Sequence, residues 1–127
     1  MRREIDNWLG QSDYDFESAR YNVEGGRYST AAFLVQQSVE KALKAYFIFV
    51  NKRSPDTTHS LLYLARNTGT PRKYHRFLKE LTPEFVMSRY PDVSGGLPHE
   101  LYDRELLEDY MEKAGEVLEW IRSRMSR

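Results

Sequence analysis

Residues 28–51, YSTAAFLVQQSVEKALKAYFIFVN, run without a single glycine or proline. Such a stretch reads as one long helix. Tyr28, Ala32, Val35, Val39, Ala42, Tyr46 and Phe49 recur at three- and four-residue steps, which places them on one helical face. Leu34, Ala45 and Ile48 lie on one flank and Phe33 and Phe47 on others, so the second half is apolar nearly all round. A helix of that kind is enclosed by other elements or by a second subunit. Tyr46, Phe47, Ile48 and Phe33 exceed what one hairpin partner can cover, so a homodimer is expected. Set into this helix is a polar row, Gln37, Glu40, Lys41 and Lys44, at the same helical steps.

The flanking segments fit around it. Residues 3–24 form a first helix with a stripe of Ile5, Leu9, Ser12, Phe16, Ala19 and Val23, and Trp8 beside it. Asp6, Asp13, Asp15, Glu17 and Arg20 fall on its wetter sides. Gly25-Gly26 ends it, and so short a link makes the two helices antiparallel neighbours. After the Ser54-Pro55-Asp56 turn, a short helix over 60–67 turns Leu61, Leu62 and Leu64 inward. Pro71 suits the first position of a further helix carrying Phe77, Leu78 and Leu81, and Thr82-Pro83 restarts the chain through Phe85 and Val86. Residues 91–102 hold Gly95-Gly96 and two prolines and read as an unstructured, flexible connection. Asp103 caps a last helix with a stripe of Leu106, Tyr110, Ala114, Val117, Ile121 and Met125, and Arg122, Arg124 and Arg127 gather at its C-terminal end. The pattern predicts an all-α, up-down bundle of four to five helices, three long and the rest short connectors, in one domain over 1–127.

Composition narrows the function. The chain is 40% hydrophobic and 13% aromatic, enough for a packed core. Lys+Arg and Asp+Glu are both 19, so net charge is zero, which weighs against gripping nucleic acid by bulk electrostatics. With no cysteine there is no disulfide, no thiolate metal site and no cysteine nucleophile. The apolar run of the second helix is too short to span a bilayer, and Met1-Arg2-Arg3 opens a charged amphipathic segment rather than a signal peptide; a cytoplasmic, membrane-free location is expected. Arg outnumbers Lys, and Asn and Gln are sparse, a balance that suits a thermophile.

Several residues invite chemistry. Glu40 and Lys44 stand at i, i+4 with the acid first, the better orientation for a helical ion pair. The row around them is either a solvated face with that one pair, or a polar groove offering donors to phosphate or to a partner chain. His59, after Thr57-Thr58, is either a cap or loop hydrogen-bonder, or a general acid or base. His75 reads as solvent-facing and His99 lies beside Glu100 in the connection; the three histidines lack metal-site spacing. Asp13-Tyr14-Asp15 lacks the strand and Gly-Ser turn that accompany paired carboxylates in nucleotidyl transfer, and reads as helix surface. P-loop, dinucleotide fingerprint and nucleophile elbow are absent. No catalytic residue is assigned, no metal or cofactor is expected, and the chain alone reads as non-enzymatic.

An ordered set of short motifs nonetheless resembles the HEPN family, the nucleotide-binding domains of higher eukaryotes and prokaryotes. The set runs from Trp8 and Ala19 through Gly26-x-Tyr28 to Gln36-Gln37-x-x-Glu40-Lys41-Ala42-x-Lys44-Ala45. It continues with Thr58-His59-x-Leu61 and closes with Arg89-Tyr90-Pro91. The resemblance implies a bundle that dimerises, binds nucleotide and works with a separate minimal nucleotidyltransferase in a two-component or toxin–antitoxin system. It puts Gln37, Glu40, Lys41, Lys44, His59, Arg89 and Tyr90 on the nucleotide- or partner-binding surface. Many members of the family that the chain resembles are metal-independent ribonucleases. Their Arg is followed after about four to six residues by a His near the last helix, a pair that stabilises phosphorane charge and shuttles protons. Here Arg89 and His99 have nine residues between them, while Arg53 and His59 have the spacing but flank the loop after the second helix. A ribonuclease toxin is therefore the alternative, and a structural adaptor whose polar row is a dimer seam is the third reading.

Overall fold

The computed structural model describes residues 1–125. Helix α1 spans Arg2–Glu24 and α2 spans Tyr28–Asn51, packed side by side along much of their length. Gly26 makes the reversal, with a φ of 77° that a Cβ would disfavour. Four short helices follow, α3 (Leu61–Arg66), α4 (His75–Leu81), α5 (Glu84–Met87) and α6 (Pro91–Ser94), before the long α7 (Arg104–Met125). Single 3-10 turns lie at Arg72–Tyr74 and Pro98–Glu100, and there is no strand among the described residues. The all-α bundle with three long helices is the expected architecture.

Two boundaries differ from the sequence reading. Pro71 is extended, with ψ of 141°, and precedes a 3-10 turn instead of opening the α-helix, which begins at His75. Residues 91–102 are not irregular throughout. Pro91 stands at the first position of α6 and Gly95 closes it with a φ of 82°, while Pro98 opens a 3-10 turn. Proline at a helix start and glycine at its end are start and stop signals as well as breakers. Asp103 caps α7 as expected, accepting the Leu106 N–H at 2.8 Å. Arg127, expected at the end of α7, lies outside the described residues.

Helix α2 is the interior pillar. Helix α1 lies along it, α7 packs against it elsewhere, and α3 and α5 contact it as well. Phe47, Ile48 and Tyr46 are 0%, 1% and 5% exposed in a single chain, and Phe33 is half-buried with the Arg89 guanidinium 4.2 Å from its ring centre. Tyr46, Phe47 and Ile48 are therefore covered without a second subunit, and they do not require a dimer. The short helices supply cover that a two-helix hairpin lacks. Ser12 and Ser38 close the α1–α2 seam reciprocally, each hydroxyl donating to the other's carbonyl at 2.7 and 2.8 Å. The stripe of α7 buries Leu107, Tyr110, Ala114, Val117 and Ile121, with Leu107 replacing Leu106 in the first turn, and Leu62 of α3 is only half-buried.

A buried carboxylate holds α5 to α7. Glu84 accepts the hydroxyl of Tyr102 at 2.5 Å and that of Tyr110 at 2.6 Å. Burial and the adjacent Glu84 carboxylate push both phenols well above the usual tyrosine value. The folded state thus favours the protonated phenols, and their contribution to stability should be constant below pH 10 and be lost as pH rises beyond it. Tyr110→Phe should lower stability by about 1–3 kcal/mol by leaving Glu84 short of a donor. It should also soften the alkaline decline. Urea denaturation at neutral pH and above pH 10 checks both outcomes.

Candidate functional site

The polar row on α2 is not a solvated face. Glu40 is 4% exposed and accepts hydrogen bonds from three directions. Lys44 Nζ reaches one oxygen at 2.8 Å, and Gln36 Nε2 and His59 Nδ1 reach the other at 3.1 and 2.9 Å. Burial alone pushes the Glu40 carboxyl up. The hydrogen bonds from Lys44, His59 and Gln36, with the Lys44 charge, outweigh it and hold the carboxyl below the usual carboxylate value. An ionised carboxylate only accepts, so Nδ1 of His59 carries the proton and donates. In the neutral ring, Nε2 is then the free lone pair.

Local main-chain chemistry releases His59 for this role. Thr58 Oγ1 accepts the Ser60 N–H, Ser60 Oγ caps α3 by accepting the Tyr63 N–H, and Thr82 Oγ1 accepts the Leu61 N–H. Capping is thus done by the neighbours of His59, not by the imidazole. Its ring stacks on Phe85 of α5 with centroids 4.3 Å apart and 25° between planes, and the side chain is 49% exposed. Phe85 leads on to Arg89. The Arg89 guanidinium donates through Nε and Nη2 to the Phe85 carbonyl at 2.9 and 2.6 Å and lies over the rings of Phe33 and Tyr90. No carboxylate pairs with Arg89 among the described residues. Tyr90 itself is 46% exposed.

The sequence-selected residues therefore divide into two groups. Glu40, Lys44, His59, Arg89 and Tyr90 form one linked surface through Phe85. Gln37 joins its edge by donating to Gln36 Oε1 at 2.7 Å. Lys41 points elsewhere, to Asp15 of α1 at 2.5 Å, where Gln11 also donates to Asp15 at 3.0 Å. Lys44 also lies over the Trp8 ring, 5.4 Å from its centre. Both lysines are thus committed to carboxylates. Asp15, expected on the wet surface of α1, is 5% exposed. The reason is that α2 presents it with a cation at helix–helix contact distance.

One other expectation needs revision, and neither candidate Arg–His pair is brought together. His75 is half-buried and its Nε2 bonds the Thr70 carbonyl at 2.8 Å. Arg53 packs over Phe47 and bonds Ser54, and no contact joins it to His59 among the described residues. His99 and Arg89 likewise share no contact there. The fold instead links both His59 and Arg89 to Phe85, the imidazole through its ring and the guanidinium through its carbonyl, at a sequence separation that no spacing rule would select. Gln36 was the missed partner: it is fully buried, and its i, i+4 relation to Glu40 was the available signal. Among the described residues no group of three or more His, Asp or Glu could hold a metal, and no helix is long and apolar enough to cross a membrane.

The HEPN domain family model matches residues 5–124. The crystal structure of TT1696 from Thermus thermophilus aligns with a TM-score of 0.86 and 26% identity, covering 97% of this chain and 98% of that one. ST0689, described as an archaeal HEPN homologue, aligns with a TM-score of 0.82 and 32% identity, covering 96% of this chain and 98% of that one. No curated protein matches.

Because the folded pKa of Glu40 is depressed, its stabilisation is present above the usual carboxylate range and lost as pH falls through the folded value. Glu40→Ala should lower stability at neutral pH by about 1–3 kcal/mol and flatten the acid limb of the stability–pH curve below the usual carboxylate value. Urea midpoints measured from pH 7 down to pH 3 check both.

Proposed function

The chain belongs to the HEPN domain family, and from that premise we propose that it is a nucleotide-binding helical subunit that works with a separate minimal nucleotidyltransferase. A two-component or toxin–antitoxin arrangement is the setting that the family resemblance suggests. The observation that carries the binding reading is the surface centred on Phe85. There a carboxylate-oriented imidazole stacks on the Phe85 ring, and a guanidinium with no carboxylate partner among the described residues bonds the Phe85 carbonyl. Arg89 retains N–H donors beyond those used on the Phe85 carbonyl, and guanidinium suits phosphate oxygens. Tyr90 and Phe33 offer ring surface beside it for a base. Phosphate binding falls to Arg89 and His59, since Lys41 and Lys44 are already neutralised.

The same geometry favours one second reading. His59 Nε2 could take the proton of an RNA 2′-OH while Arg89 stabilises the phosphorane charge, with Glu40 holding the imidazolium. That is metal-independent ribonuclease chemistry from a pair outside the family's usual spacing. An adaptor role without ligand is the third. Homodimerisation belongs to the proposal, with a different surface from the α2 aromatics. Tyr90, Val93, Leu97 and Leu101 are each 46–53% exposed within one short segment, an apolar strip next to the binding surface.

Titration calorimetry with ATP and GTP should give heat for the wild type. Affinity should fall about tenfold or more in His59→Ala and in Arg89→Ala, about 1.4 kcal/mol each. Lys41→Met should leave it unchanged. Absence of heat with every nucleotide counts against binding. Cleavage of a test RNA that His59→Ala abolishes would select the ribonuclease instead. Light scattering should give about twice the 15.0 kDa chain mass, and Leu97→Asp with Leu101→Asp should halve it.

A further inference from the structure

A second surface lies away from His59. Helices α1 and α7 both pack on α2 but touch one another little, and a groove of about 960 Å³ opens between them. Phe16 and Leu118 contribute apolar surface to it, and Tyr21, 77% exposed, stands at its edge. None of these residues is used by the nucleotide surface.

The groove carries more negative charge than it neutralises. Asp13 is bonded to Arg122 across its mouth, and Arg20 lies over the Phe16 ring, 5.4 Å from the centre. Glu17 and Glu119 face it from opposite helices, with no ion pair among the described residues. Carboxylates beside apolar lining suit an incoming Lys or Arg by charge, with the exposed Tyr21 ring offering a cation–π face.

Gly115 adds an independent observation. A glycine inside a helix destabilises it by about 0.5–1 kcal/mol relative to alanine. A Cβ there would meet only Phe16 Cζ, at 3.8 Å, an ordinary contact. Packing within the chain therefore does not demand glycine. Its effect is to leave room beside the Phe16 ring edge and to permit close approach from outside.

We propose that the α1–α7 groove receives an amphipathic helix of a partner protein, one carrying Lys or Arg beside its apolar stripe. The α1 lining runs from Asp13 to Asn22, about 14 Å at helical rise, which accommodates two to three turns of an incoming helix. Leucine-like anchors at i, i+3 or i+4, and i+7 would meet Phe16, Leu118 and Tyr21. Flanking cations would meet Glu17 and Glu119. This inference stands apart from the nucleotide reading and does not need it.

The probe is a fluorescent Leu/Lys amphipathic peptide of roughly 18 residues, titrated with the full chain by anisotropy, beside a Leu/Glu peptide of the same pattern. The Leu/Lys peptide should bind and the Leu/Glu peptide should not. The double variant Glu17→Lys with Glu119→Lys, at exposed positions, should weaken binding about tenfold or more, and Gly115→Leu should do the same by filling the groove. Circular dichroism verifies that each variant keeps its helix content. No binding of the Leu/Lys peptide, equal binding of both peptides, or undiminished binding by the charge-reversal variant would overturn the proposal. So would a wild-type dimer whose mass halves in Gly115→Leu, because the groove would then be filled by a second copy.

Discussion

Glu40 sits where a charge is expensive to place. It lies inside the bundle, and a carboxylate taken out of water without partners loses several kcal/mol of solvation. The chain keeps it ionised by aiming an ammonium, an amide and an imidazole at its two oxygens. That arrangement fixes more than one carboxylate. It ties α2 to the segment before α3 through His59, and so sets the orientation of a ring that stacks on α5. A titratable side chain on an irregular segment becomes oriented because its partner belongs to the most buried helix of the fold.

The same helix also explains why the polar row divides. Lys41 and Lys44 are three residues apart, yet one turns toward Asp15 on α1 and the other toward Glu40. Each amine cancels a carboxylate buried at a helix contact, so the row works as internal electrostatics. What remains unneutralised lies elsewhere. Arg89 is exposed beyond Phe85, and Glu17 and Glu119 face the groove between α1 and α7. The zero net charge of the chain conceals two surfaces of opposite character.

Much of the fold was legible because periodicity reports burial directly. Val35, Val39, Ala42 and Tyr46 follow the helical repeat and are buried. The buried acids were less legible. Asp15 and Glu84 look like any other charged residue, and only tertiary neighbours make them interior, a lysine for one and two tyrosines for the other. The order within 91–102 was hidden for a different reason: Pro91 and Gly95 serve equally as breakers and as the two ends of a one-turn helix. Of the site, Glu40, Lys44 and His59 could be selected from the motif. Their geometry could not. Linking His59 and Arg89 depends on Phe85, an apolar residue with no chemistry to mark it in the sequence, which presents its ring to the imidazole and its carbonyl to the guanidinium. Gln36 and Gln37 were indistinguishable as letters, and a single helical step decides that Gln36 is interior.

The central claim is that Glu40 fixes the proton of His59 on Nδ1 and leaves Nε2 open toward the outside. Nitrogen-15 NMR of the imidazole, recorded where the ring is neutral, distinguishes the two ring nitrogens directly. A spectrum with Nδ1 protonated and Nε2 bare is the predicted result. One with the proton on Nε2, or an even mixture of tautomers as in a freely solvated ring, would contradict it.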